Sequence, residues 1–274
     1  MRKCFILLLI ICCVLQTKRL YAQKYSFPFG NSYDEDANIL IGIQYSYINS
    51  RYILDLNQDW STTGIDYGPT HSNTLPNLKS IASPAAHGMS VGIPIDFRMT
   101  DNLYANFSPS FVFINNTRVI FTDTDPEILP NERYTRNTLE NRTGTNFNSF
   151  ELPLSLKLRS DEKIFKNKFN RYRGFITAGA RYTSFLGLTT EYNRLKHEPE
   201  KPYPLVLKNG YFSWETSVGV DIFFTHFKMS PEIKFSQSLG NVLDKRHELT
   251  IDNQFMDKLD KAFIRNIYFS LTFQ

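Results

Sequence analysis

Five histidines, His71, His87, His197, His226 and His247, are the side chains here best suited to carry a proton near neutral pH. A hydrolase built on them would need one beside a serine or a carboxylate. Most fall in polar connecting stretches, and no HExxH, GxSxG, P-loop or GxGxxG segment occurs. The three cysteines, Cys4, Cys12 and Cys13, all lie in the first 22 residues, so the rest of the chain offers no thiolate to a metal or a disulfide. The expectation is a chain with no catalytic, cofactor-binding or metal-ligating set. A lipid-modifying enzyme is the alternative.

A larger constellation is ionic. Asp96, Glu151, Glu215, Asp221 and Glu232, with Arg98, Lys157, Arg159, Arg181, Lys228 and Lys234, all stand at alternate positions between apolar residues. Five acids against six bases, brought to one interior, would neutralise one another and pack as a hydrogen-bonded plug. Such ion-pair networks are more often structural than catalytic.

The elements that carry these charges are strands of period two. Ile39, Ile41, Ile43, Tyr45 and Tyr47 share one face of the segment Asn38 to Tyr47. Met89 to Arg98, Leu103 to Phe113, Phe150 to Arg159, Tyr172 to Phe185, Phe212 to Phe224, Phe227 to Ser236 and Phe263 to Phe273 repeat the pattern. The connections alternate in length. Short ones follow the second, fourth and sixth strands, whereas long ones cover 48–86, 114–146, 186–210 and 240–262, with Gln254 to Ala262 read as a short helix. An even strand count with this rhythm predicts an all-β fold: an eight-stranded antiparallel transmembrane β-barrel of the outer membrane, with long extracellular loops and periplasmic termini.

The first 22 residues carry a basic start (Arg2, Lys3), an apolar stretch from Phe5 to Leu15 and the small-residue end Leu20-Tyr21-Ala22. This is the pattern of a cleaved secretory signal, and it leaves residues 23–274 as the barrel. Losing Arg2, Lys3, Lys18 and Arg19 lowers the 31 basic residues to 27, equal to the 27 acids. The apparent pI of 8.8 therefore belongs to the export segment, and nucleic acid is excluded as a partner.

Period two also suits a soluble barrel or sandwich. Here, however, the polar faces are charged and the apolar faces are large and aromatic, in a chain with 23 Phe and 15 Tyr and a mean hydropathy of −0.32. That polarity suits a lipid-facing belt around a filled lumen. The alternation ending in Phe269, Leu271 and Phe273 resembles the C-terminal strand signal read by the outer-membrane insertion machinery. Pro94, Pro109, Pro153 and Pro231 fall inside these strands and predict irregular ladders. Trp60, Tyr67, Pro69 and the run Pro202-Tyr203-Pro204-Leu205 in the loops suit either a contact surface or packing over the barrel mouth.

Several segments carry a more specific likeness. His87-Gly88-Met89-Ser90-Val91-Gly92-Ile93-Pro94-Ile95-Asp96-Phe97-Arg98 precedes Asp101-Asn102-Leu103. Glu151-Leu152-Pro153-Leu154-Ser155-Leu156-Lys157, Glu215-Thr216-Ser217-Val218-Gly219-Val220-Asp221, Phe227-Lys228-Met229-Ser230-Pro231-Glu232-Ile233-Lys234 and Gly240-Asn241-Val242-Leu243 follow. Together they resemble the PorT family of Bacteroidetes outer-membrane proteins, although the stretch 48–86 is longer than that pattern. The resemblance implies a non-enzymatic component of the type IX secretion system, which exports proteins with C-terminal signal domains and in some species supports gliding. Its partners would be other secretion-system proteins and outer-membrane lipid. A receptor or narrow pore is the rival class.

Overall fold

The computed structural model describes residues 37–62, 77–115, 117–123, 148–164, 171–197 and 203–274, with two short strands at Tyr25–Ser26 (β1) and Arg133–Asn137 (β10). The proposed signal segment, His71, Tyr67, Pro69 and Pro202 lie outside the described residues. In chain order the remaining strands are β2 (Ile39–Ile41), β3 (Ile43–Leu56), β4 (Leu78–Ala82), β5 (Ala86–Gly92), β6 (Ile95–Arg98), β7 (Leu103–Phe107), β8 (Ser110–Asn115) and β9 (Arg118–Asp123). They continue as β11 (Asn148–Arg159), β12 (Lys163–Ile164), β13 (Arg171–Phe185), β14 (Gly210–Phe223), β15 (Lys228–Ser238) and β16 (Leu259–Phe273).

Eight antiparallel staves close on themselves. β3 pairs with β5, β5 with β8, β8 with β11, β11 with β13, β13 with β14, β14 with β15, β15 with β16, and β16 returns to β3. The first three staves are each split: β2 continues β3, β6 continues β5 and β7 continues β8, and these lower halves pair β2–β6, β6–β7 and β7–β11. Closure removes every edge, the condition for a sheet to sit in lipid without unpaired backbone groups.

The prolines explain the splits. Pro94 lies between β5 and β6, and Pro109 between β7 and β8, each in place of a residue that would donate to the ladder. The proline carbonyls stay in the ladder as acceptors: Gly42 donates to the Pro94 carbonyl at 2.9 Å, and Ile93 donates to the Pro109 carbonyl at 3.0 Å. No residue is added at either break. Gln44 pairs with Gly92 above the break and Ile41 with Ile95 below it, in one continuous register. The irregularity is an interruption, not a bulge. Pro153 and Pro231 stay inside β11 and β15; opposite Pro231, the β14–β15 ladder skips Val220 and Asp221 and resumes unshifted.

The polarity of the barrel is inverted relative to a soluble protein. Leu154 and Phe212 are 61% and 60% exposed, while Asp221 and Lys228 are both 0% exposed. Ile43, Tyr45, Met89, Val91, Phe111, Leu156, Ile176, Val218, Ile233 and Phe269 continue the outward apolar face. Such a surface is stable only against hydrocarbon, since a soluble monomer rarely exposes an apolar patch of this extent.

Three sequence expectations change. The strands are longer than a span requires: β13 and β16 have 15 residues each. At a tilt of about 40° that gives about 38 Å of height, against an apolar band of roughly 25 Å. The upper ends therefore stand above the membrane, and residues 48–56, expected in a loop, are strand. The connection after β8 likewise holds structure, because β9 pairs with both β4 and β10 in a separate three-stranded sheet. The expected helix at Gln254 to Ala262 is shorter, Gln254–Asp257, and β16 starts at Leu259.

Candidate functional site

The lumen is filled by two ionic layers, each assembled from several staves: β6, β11, β14 and β15 in one, and β11, β13, β14, β15 and β16 in the other. In the layer toward the short turns, Arg159 Nε lies 2.7 Å from Asp221 Oδ2 and Lys157 Nζ lies 3.0 Å from Asp221 Oδ1. Asp96 joins from β6, with Lys228, Lys157 and Arg159 at 3.5, 3.7 and 3.8 Å from its Oδ2. Asn106 Nδ2 donates to Asp96 at 2.6 Å, and Ser230 donates to Asp221 at 2.5 Å. Aromatic faces hold the cations from one side: Lys157 lies 3.9 Å from the Phe175 ring centroid and Arg159 lies 4.0 Å from that of Tyr104.

The layer toward the long loops centres on Arg181. Its Nη1 lies 2.5 Å from Glu151 Oε2 and its Nη2 lies 2.6 Å from Glu215 Oε2, so one guanidinium bridges β11 to β14 from β13 between them. Tyr268 donates to the other oxygen of Glu151 at 2.9 Å and places its ring 4.3 Å from the guanidinium. Lys234 reaches Glu215 and Glu232 at 3.9 and 3.8 Å.

The layers hold opposite net charge. The lower one has Lys157, Arg159 and Lys228 with Asp96 and Asp221; the upper has Arg181 and Lys234 with Glu151, Glu215 and Glu232. Their sum is neutral, as a dry interior demands, because an uncompensated buried charge costs several kcal/mol. Gln44, Thr177, Ser217 and Thr272 lie on the inward faces, and the enclosed space lined by Gln44, Asp96, Asn106, Lys157, Glu232 and Thr272 is about 20 Å3, room for about one water.

Arg98 departs from the expectation. Its alternation is right, but it is the last residue of β6, and its guanidinium pairs at 2.7 Å with Asp101 of the turn, which is 88% exposed. A side chain at the rim is wet and turns to the nearest carboxylate. The lumen balance is thus five acids to five bases among the described residues. Reasoning from charge alone missed Tyr268, Asn106 and Ser230, which are neutral; their parity in the strands was the available signal.

A folded cap closes the long-loop end. Tyr52 of β3, Val119 and Phe121 of β9, Leu205, Val206, Leu207, Leu243, Phe255, Met256 and Leu259 form one buried apolar cluster. Helix α1 (Leu188–Leu195) buries Leu188, Tyr192 and Leu195, at i, i+4 and i+7, into it. Gly187 precedes it with φ of 80°, a left-handed conformation that glycine adopts without strain. The Tyr192 hydroxyl accepts from the Leu207 amide at 2.8 Å, and burial pushes its pKa well above the ordinary phenol value.

Helix α2 (Gln254–Asp257) is capped by Asn253, whose Oδ1 accepts from the Met256 amide while its Nδ2 donates to the Pro204 carbonyl at 2.9 Å. Leu207 bridges Leu243, and Lys196 pairs with Glu248 at 3.0 Å, so two long connections are tied together. The His247 ring accepts from the Leu249 amide at 3.2 Å; burial, then the neighbouring Lys196 ammonium, holds its pKa below the ordinary imidazole value. Partial burial likewise lowers the Lys258 ammonium, which donates to the Asp59 carbonyl at 3.3 Å. Trp60 and Tyr203 pack against this core, and Pro204 and Leu205 lie within it.

The histidines do not converge. His87 lies on the outer face at the upper end of β5 and meets the Tyr47 hydroxyl at 2.5 Å, whereas His226 lies in the turn between β14 and β15 at the opposite end. Phe269, Leu271 and Phe273 lie on the outward face of β16. A concavity of about 680 Å3 on the lipid side arises where Ala178 and Thr216 pair in register between Leu156 and Phe235.

No protein-family model and no curated protein matches this chain. Among solved structures, it is similar to Ail, the attachment invasion locus protein of Yersinia pestis, at 10% identity over 85% of this chain and 96% of that one, with a TM-score of 0.30. Neisserial surface protein A gives 8% identity over 85% and 95%, with a TM-score of 0.34. The outer membrane protein OprG from Pseudomonas aeruginosa gives 9% over 86% and 92%, with a TM-score of 0.36. The chain's own closed ladder, apolar exterior and ionic interior make it an eight-stranded transmembrane β-barrel of the outer-membrane type.

Proposed function

We propose that this barrel is a non-enzymatic component of the type IX protein secretion machinery, exported by a cleaved signal peptide, and that it works as a scaffold in the export of proteins with C-terminal signal domains. The likeness of His87 to Arg98, of Glu151 to Lys157 and of Phe227 to Lys234 to the PorT family carries this reading. The neutral, filled lumen under a folded cap supports a scaffold over a conduit, because transport would require breaking two buried ionic layers. Its partners would then be secretion-system proteins at its loops or its periplasmic rim. Deleting the gene and measuring release of such cargo tests the proposal: secretion should fall and return on complementation, whereas normal secretion overturns it. Co-purification from native membranes would identify the partners. The rival, a receptor or narrow pore, predicts steady conductance of the purified barrel in planar bilayers.

A further inference from the structure

Arg51 of β3 and Arg265 of β16 are direct partners in the β3–β16 register, and both point outward from the barrel. Like charges directly opposite each other on adjacent strands destabilise a sheet. Among the described residues, no carboxylate lies within ion-pair distance of either; Arg265 instead donates to Gln237 Oε1 at 2.8 and 3.1 Å and lies 5.6 Å from the Phe235 ring centroid. Among the described residues the pair is therefore an uncompensated dication on the outer surface, with Arg265 held by Gln237.

Its height identifies what meets it. Arg51 is eight residues above Ile43, and Arg265 is eight residues before Phe273; Ile43 and Phe273 pair in the lower part of the apolar belt, which continues below them to Ile39 and Phe97. At about 2.5 Å of height per tilted residue, both Cα atoms stand about 20 Å above that pair, at the upper edge of a band of roughly 25 Å. Arginine stems extend several ångströms further along apolar surface, which brings the guanidiniums to the outer headgroup layer. The other staves hold aromatics toward this end of the belt, Phe150, Tyr182, Phe212 and Trp214, so the arginines interrupt a girdle. Below them Asn49 and His87 pair in register, and the Tyr47 hydroxyl meets His87.

We infer that Arg51 and Arg265 form a binding site for the phosphate of a phosphorylated outer-leaflet lipid, seated on the outer face of the β16–β3 seam. Paired guanidinium forks match phosphate oxygens bidentately, and the anion removes the repulsion between the two strands. A lipid anchored there would occupy the seam where the last stave meets the first.

Native mass spectrometry of the full barrel in micelles tests this with three probes: bis-phosphorylated lipid A, its dephosphorylated form and inorganic phosphate. The wild type should retain the phosphorylated lipid at least tenfold more than the dephosphorylated one. R51Q/R265Q should lose that preference, while R51K/R265K keeps part of it and K261Q, above the belt, keeps all. Because both positions are on the surface, heat-modifiable migration should confirm that each variant is folded. Equal retention of the phosphorylated lipid by R51Q/R265Q, or equal binding of the two lipids by the wild type, overturns the site. Complete displacement by millimolar inorganic phosphate overturns its assignment to a lipid.

Discussion

Arg159 and Asp221 meet at 2.7 Å across the interior, from β11 and β14, with β13 lying between their strands in the sheet. Two paired strands alone cannot make this contact; it forms when β11, β13 and β14 are assembled in register and the wall curves toward the lumen. It ties the integrity of the lumen to the integrity of the wall.

Replacing Asp221 by Asn should accordingly be among the most damaging single changes. Arg159 and Lys157 would keep their charges while losing the carboxylate that both face. Removing one partner of such a buried pair costs about 3–5 kcal/mol. Urea titration of the heat-modifiable band in micelles should show the midpoint falling by the corresponding amount, and D221N should lose much less when combined with Lys157→Met.

Gly219 leaves space for a ring. A Cβ there would sit 2.3 Å from Phe175 Cζ and 2.7 Å from the Pro231 carbonyl oxygen. Phe175 is the ring over which Lys157 lies. Gly219→Ala should therefore cost about 1–3 kcal/mol through overpacking and displacement of the ring. A stability within error of the wild type in the same titration would show that the interior is looser than this geometry.

The cap and the lumen close the barrel independently. Phe255→Ala should remove about 3–5 kcal/mol from the cap core, where Phe255 meets Phe121 edge-on with centroids 5.0 Å apart. Hydrogen exchange should accelerate in 188–195 and 249–257, with the staves unchanged. Planar-bilayer recordings should show no sustained conductance for the wild type or for this variant, because both ionic layers still fill the lumen.

His247 sets a pH dependence for the cap. Its folded pKa lies below the ordinary value of 6.5, so the folded cap binds fewer protons than the open one. The cap is therefore fully stable above about pH 7 and loses stability as pH falls through 6.5 toward the lowered value. The protection factor of the Leu249 amide, which donates to the ring, should fall as pH drops from 7 to 5 once the intrinsic pH dependence of amide exchange is divided out. His247→Asn, which can accept the same hydrogen bond without titrating, should flatten that dependence.

The eight staves were legible in the sequence because lipid on one side and a polar interior on the other impose period two within each strand, a constraint that needs no distant partner. The inward placement of Asp96, Glu151, Lys157, Arg159, Arg181, Glu215, Asp221, Lys228, Glu232 and Lys234 follows from that parity. So do the even count and the alternating connections. Which of these charges meet was decided only by closure and register, which carry Asp96 to Lys228 and Arg181 to both Glu151 and Glu215. The same register put Arg51 beside Arg265, and the end of β6 left Arg98 to Asp101 at the rim. The cap was hidden for another reason. Above the membrane there is no lipid to enforce alternation, so Tyr52, Phe121, Leu207 and Phe255 are buried by long-range packing that has no single period along the chain.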